Sequence, residues 1–150
     1  MDEKTARREI VRIGQLMYER SYVVSSDGNV SVRLDDGRLV ATPTMTCKGR
    51  MTEDSLALTD SNGKALTDRK ASSELAMHIL IYNERPDVKA VCHAHPPHGT
   101  AFAVAGLAAG EGALDGGEGF LAASETGEAV RQVAERAGEV VSEGVGMSRC

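Results

Sequence analysis

The chain has 150 residues, 41% of them hydrophobic, with 22 acidic against 17 basic side chains; this is enough apolar material for one compact domain and the wrong charge for a nucleic-acid backbone. Three Tyr, two Phe and no Trp leave little for base stacking. Cys47, Cys92 and Cys150 lack CxxC spacing, and the charged N-terminus has neither a signal-peptide core nor a membrane span, so the expectation is a reduced, cytoplasmic protein with no membrane or nucleic-acid partner.

Ile10, Ile13 and Met17, with Leu16 beside them, recur at helical spacing among charges and predict an amphipathic helix over 5–22. Asp27-Gly28-Asn29 is a turn signal. After it, Val30, Val32 and Leu34 alternate with Ser31 and Arg33, the pattern of a half-buried strand, and Asp36-Gly37 folds the chain back into a hairpin with 38–42. Residues 42–54 read as a loop leading to a short strand at 56–59, closed by a turn at Ser61-Asn62-Gly63.

The segment "ASSELAMHILIYNERPD" is the second strong helix: Ser72 or Ser73 can cap it, Glu74 sits in the first turn where the dipole favours an anion, and Pro86 ends it. A strand over 88–95 follows. Pro96-Pro97 stops it, and Pro97 can start a further helix.

The composition changes near Gly106, after which the last 45 residues hold 10 of the 16 glycines, 8 acidic and 3 basic side chains, and no His, Tyr, Pro or Lys. The expected division is therefore 1–105 and an atypical tail, 106–150. Within the tail, "GLAAGEGALDGGEGFLAAS" reads as flexible, and "ETGEAVRQVAERAGEVVSEG" has the spacing of one helix.

Chemistry concentrates in "VCHAHPPHG". On a strand, side chains two apart share a face, so His93 and His95 can chelate one ion while Cys92 and Ala94 point the other way. Glu74 can ligate the same cation at rest and act as a general base during turnover. Ser72, Ser73 and the Gly28-Asn29 turn offer hydroxyls, an amide and backbone N–H groups suited to a phosphate. His78, four residues after Glu74 on the same helical face, reads as a packed or hydrogen-bonded histidine.

Taken together, "DGNVSVR", "ATPT", "ASSELAMHILIYNERPDVKAVCHAH" and "TAFA" resemble the class II aldolase and adducin family over residues 5–105. The resemblance implies a three-layer α/β/α sandwich around a mainly antiparallel sheet, incomplete at the C-terminus, and assembly as a homotetramer. It implies Glu74 as the proton-transfer residue and His93 and His95 as ligands of Zn²⁺ or another divalent metal. Gly28, Asn29, Thr44, Ser72 and Ser73 would form the phosphate pocket.

The implied activity is that of a metal-dependent lyase cleaving a sugar phosphate, such as L-fuculose 1-phosphate, to dihydroxyacetone phosphate and an aldehyde. Glutamate rather than aspartate at position 74 favours the aldolase over the epimerase branch. The family's third histidine ligand lies downstream of the HxH pair, and here no histidine follows His98. His98, Cys47, Cys150 or Glu74 itself stand as substitutes. The tail has the look of a shortened or frame-shifted family C-terminus, which keeps a non-catalytic, adducin-like role and an inactive truncated form as alternatives to the enzyme.

Overall fold

The computed structural model describes residues 1–98, Ala101 and 120–124. Helix α1 runs over Glu3–Glu19 and is started by Asp2. The Asp2 carboxylate accepts from the Thr5 N–H at 3.0 Å and from the Thr5 hydroxyl at 2.7 Å, which satisfies a donor that the first turn would leave orphaned. At the other end the N–H of Ser21 donates to the Tyr18 carbonyl and that of Tyr22 to the Met17 carbonyl. This crossed pair is the Schellman closure, and it forces Ser21 into the left-handed region at φ 58°.

The helix therefore stops short of the expected Tyr22, at a residue with no helix-ending signature of its own. Glycine at this position escapes the Cβ penalty but loses more entropy on folding. Ser21→Gly is accordingly expected to raise stability by about 0.5–1 kcal/mol. A urea midpoint that stays put or falls would show that Ser21 is not strained.

Four strands follow the expected order, β1 (Asn29–Arg33), β2 (Leu39–Ala41), β3 (Ala57–Thr59) and β4 (Ala90–Ala94), with helix α2 (Leu75–Glu84) between β3 and β4, and a fifth, β5 (Phe120–Ser124), lies where no strand is expected. Among the described residues the sheet order is β3-β2-β1-β4-β5, and every neighbouring pair is antiparallel. The hairpin turn falls at Asp36-Gly37 as expected, with Gly37 at φ 86°. β4 ends at Ala94, so His95 lies just past the strand rather than inside it.

Strand alternation sorts side chains between two cores. Ala6, Ile10, Ile13 and Met17 of α1 pack against Val30, Val32, Val40, Leu58, Ala90, Cys92 and Ala94. Burying Ile10 and Ile13 completely contributes about 1.5–3 kcal/mol each relative to leaving them in water. On the other face Leu39, Ala41 and Val91 meet Leu75 and Tyr82 of α2. The sheet thus lies between two helical layers, the α/β/α arrangement.

That second layer corrects the reading of β1 as half-buried. Asn29 and Ser31 are 1% and 0% exposed because α2 covers them; they are polar for what they bind. Arg33 closes the same layer, donating to the carbonyls of Tyr82, Pro86 and Val88. Its guanidinium also lies over the Tyr82 ring, 5.1 Å from the centroid. It fastens the end of α2 to the start of β4 and so helps to fix Glu74 relative to His93.

A second correction concerns the glycine-rich stretch read as flexible through Ser124. Its last five residues, Phe120–Ser124, form β5 and pair with β4, Phe120 opposite Ala94 and Ser124 opposite Ala90. The helix expected in 125–144 lies outside the described residues, as does the helix expected from Pro97 beyond its first turn. No helix among the described residues is long and apolar enough to cross a membrane.

Candidate metal centre

The site forms where the N-terminus of α2 meets the ends of β1 and β4. Asn29 and His93 are register partners across the antiparallel pair, and α2 lies over that face with its first residues nearby. Ser72 ends the approach to the helix: its hydroxyl accepts from the Glu74 N–H at 3.3 Å, and its carbonyl accepts from the Leu75 N–H at 3.1 Å. This corrects the reading of a serine cap with Glu74 in the first turn: the N-cap of α2 is Glu74 itself, with no capping bond from its side chain, and Ser72 closes the turn just before it.

Glu74, His93 and His95 each offer a ligand atom, and these atoms all lie within 4.8 Å of one another. Glu74 Oε2 and His93 Nδ1 are 3.4 Å apart, close to the edge of about 3.3 Å expected for a tetrahedron with bonds near 2.0 Å. The His93 and His95 rings meet edge to face, centroids 4.6 Å apart. One carboxylate and two imidazoles suit a divalent cation of zinc's type, so the donor set fits the metal that the resemblance implies. Of the substitutes considered for a third ligand, Glu74 is the one in this group; His98 and Cys47 are not, and Cys150 lies outside the described residues.

Burial grades across the group. The His93 side chain is 8% exposed and that of Glu74 43%, so the carboxylate reaches solvent while the imidazole is fixed in the sheet. Asn29 Nδ2 donates to Glu74 Oε2 and lies 3.3 Å from His93 Nδ1, holding the two together. Asn29 Oδ1 is buried without a partner among the described residues.

The residues expected around a phosphate come to the same end of the sheet. Thr42–Thr44 and Lys70–Ser72 run side by side: Pro43 bridges Ala71, the Thr44 N–H donates to the Lys70 carbonyl at 3.1 Å and the Ser72 N–H to the Thr42 carbonyl at 3.0 Å. Ser73 is exposed and Thr44 half-buried. Gly28 lies beside β4, where an added Cβ would sit 2.7 Å from the His93 carbonyl oxygen and 2.6 Å from Val23 Cγ1. Its φ of +69° excludes most other residues as well.

Under the site runs a buried chain that contains His78, packed and hydrogen-bonded as expected, with partners that the sequence did not suggest. The Tyr82 hydroxyl donates to the Ser31 carbonyl at 3.0 Å, so the Ser31 hydroxyl donates to Tyr82 at 2.8 Å and accepts from His78 Nδ1 at 2.7 Å. This order fixes the His78 tautomer and leaves the Nε2 lone pair facing inward, buried and without a partner among the described residues. The available signal was the pairing of His78 with Tyr82 one helical turn apart, opposite a lone serine in a valine strand.

Burial, with a smaller contribution from His93, pushes the His78 imidazole down from 6.5 to about 3. The folded chain keeps it neutral, whereas the unfolded chain takes up a proton below pH 6.5. Stability is therefore expected to fall as pH drops from about 6.5 toward 3, by up to about 1.4 kcal/mol per pH unit. His78→Gln keeps a donor for Ser31 and removes this dependence. Urea unfolding at pH 7, 6, 5 and 4 checks it, and equal slopes in both proteins would exonerate His78.

The chain matches the class II aldolase and adducin N-terminal domain over residues 8–143. It is 38% identical over 100 residues to a 3-oxo-tetronate 4-phosphate decarboxylase of Pectobacterium atrosepticum, covering 67% of this chain and 46% of that one. It is 41% identical over 97 residues to an L-fuculose phosphate aldolase of Methanococcus vannielii, covering 65% and 52%. The structure of L-fuculose-1-phosphate aldolase from Thermus thermophilus superposes with a TM-score of 0.75 at 18% identity, covering 94% of this chain and 91% of that one, and shows a shared fold. The chain spans about half the length of the curated relatives it matches. With a family match across most of its length and the α/β/α layers in place, the chain belongs to the class II aldolase and adducin N-terminal domain family.

Proposed function

We propose that this protein is a divalent-metal-dependent lyase that breaks a carbon–carbon bond beside the ketone of a phosphorylated sugar or sugar acid. The observation that carries the reading is the convergence of Glu74, His93 and His95 within 4.8 Å, beside Asn29 and Ser72. When bound, the cation, with zinc the best match to two imidazoles and a carboxylate, polarises the substrate oxygens on which negative charge develops. Glu74 moves the proton; its partial exposure lets substrate reach it, and Asn29 holds its carboxylate in place. Gly28, Asn29, Thr44, Ser72 and Ser73 receive the phosphate.

Two cleavages share these requirements. Decarboxylation of a 3-oxo acid needs a proton delivered to the carbon that loses carbon dioxide, and retro-aldol cleavage needs one removed from a hydroxyl. One carboxylate placed beside the cation serves either. The relatives named 3-oxo-tetronate 4-phosphate decarboxylase favour the first; those named L-fuculose phosphate aldolase keep the second, giving dihydroxyacetone phosphate and an aldehyde.

The test is to incubate the zinc-loaded chain with each substrate and follow carbon dioxide and dihydroxyacetone phosphate. Release of either supports the proposal and names the branch. Stoichiometric zinc without turnover of either substrate would replace it with a non-catalytic role for the fold. Assembly as a homotetramer belongs to the same proposal and is read from the sedimentation mass.

A further inference from the structure

The least expected side chain near the site is Lys48, which is 2% exposed although it carries an ammonium group. It follows the Thr44 loop and opens a single 3₁₀ turn, Lys48–Arg50. Its Nζ donates to the Ser26 carbonyl at 2.7 Å and to the Thr46 carbonyl at 2.9 Å. Its backbone N–H donates to the Ser25 carbonyl at 3.2 Å. One residue thus ties together the segment leading into Gly28-Asn29 and the segment following Thr44.

Both tied segments are strained. Ser25 and Met45 each have φ 53°, a left-handed conformation that is unfavourable for a residue with a side chain and persists only where the surroundings impose it. An apolar residue of the same length would fill the space under these loops without the desolvation cost of a buried ammonium. Burial lowers the Lys48 pKa, as expected for an ammonium taken out of water and held by neutral carbonyls. An ammonium has three N–H donors, and two are used by carbonyls.

We propose that Lys48 is the positioning residue of the phosphate subsite, clamping the Ser25–Asn29 and Thr44–Thr46 segments around the phosphate and supplying the positive charge beneath it. This rests on the phosphate pocket described under the proposed function. Neither carbonyl partner requires a charge for folding alone; a phosphate dianion held between the two loops does.

The experiment is a calorimetric titration of the full chain with inorganic phosphate, for the unmodified protein, Lys48→Met, Lys48→Arg and Ser72→Ala. The expected result is at least tenfold weaker phosphate binding in Lys48→Met, partial recovery in Lys48→Arg, and unchanged zinc binding in both. Weakening in Ser72→Ala with none in Lys48→Met overturns the role of Lys48 and leaves the pocket standing. No phosphate binding by the unmodified chain overturns the pocket, and Lys48's role with it. Should Lys48→Met fail to fold, the ¹⁵Nζ resonance of Lys48 in the unmodified chain decides the matter: it shifts on phosphate addition if the ammonium lies under the anion, and a stationary signal overturns the proposal.

Discussion

Glu74→Gln is expected to slow carbon–carbon cleavage by about 10³-fold, within the range of 10² to 10⁴ that positioned proton transfer contributes. The substitution keeps the shape of the side chain, and the amide oxygen can still accept from Asn29 Nδ2, the contact that now holds Oε2. What it removes is the charge and the capacity to carry a proton. Folding should change little, since the Glu74 side chain is 43% exposed and its backbone position is set by Ser72. Zinc affinity should fall less than in a histidine variant, because the amide oxygen remains a weak ligand. The decisive measurement is turnover at saturating zinc against zinc affinity. A loss of turnover that excess zinc restores would make Glu74 a ligand only, and unchanged turnover would remove it from the chemistry altogether.

Much of this site could be read from the residues because short-range geometry determines it. HAH keeps two imidazoles close together, here one in β4 and one just past its end, and a serine pair before an apolar run marks a helix start. Glu74 stands at the entrance of that helix, whose far end a short connection joins to the histidine strand. The parts that escaped depend on what covers each element. Ser31 looks like the solvent side of a half-buried strand, and only the packing of α2 over the sheet shows that it anchors His78 and Tyr82. Phe120–Ser124 sits in a glycine-rich stretch whose composition suggests no strand, and the pairing edge of β4 provides its register. Ser21 ends α1 by a backbone closure in which the side chain takes no part. Lys48 lies in a polar loop where a lysine normally faces water, and its burial follows from two loops meeting over it. Periodicity reports side chains within one element, whereas three of these features belong to contacts between elements distant in sequence and the Ser21 closure belongs to the backbone alone.

His93→Ala is expected to weaken zinc binding by more than about 100-fold, the upper end of what losing a mere support of a ligand costs. His93 is the most enclosed member of the group, at 8% side-chain exposure, and its strand is fixed on both sides: β1 places Asn29 opposite it, and β5 places Leu121. Its imidazole therefore has little freedom to lose on binding, which makes it the preorganised half of the site. Glu74 and His95 are more exposed and have to adjust to it. Stability should fall by only about 1 kcal/mol, since the Asn29 amide keeps Glu74 as an acceptor and the cavity opens at the sheet's end rather than in its core. The contrast with Cys92 sharpens the test. That thiol sits one residue away on the opposite face, packed near Met17 and pushed up to about 12 by burial, so it faces the α1 core and away from Glu74, His93 and His95. Cys92→Ala should leave zinc affinity unchanged while disturbing the α1 core. Competition with a chelator of known affinity measures both variants. If Cys92→Ala loses the metal and His93→Ala keeps it, the ion belongs to the wrong face of β4, and the Glu74, His93 and His95 centre is not its site.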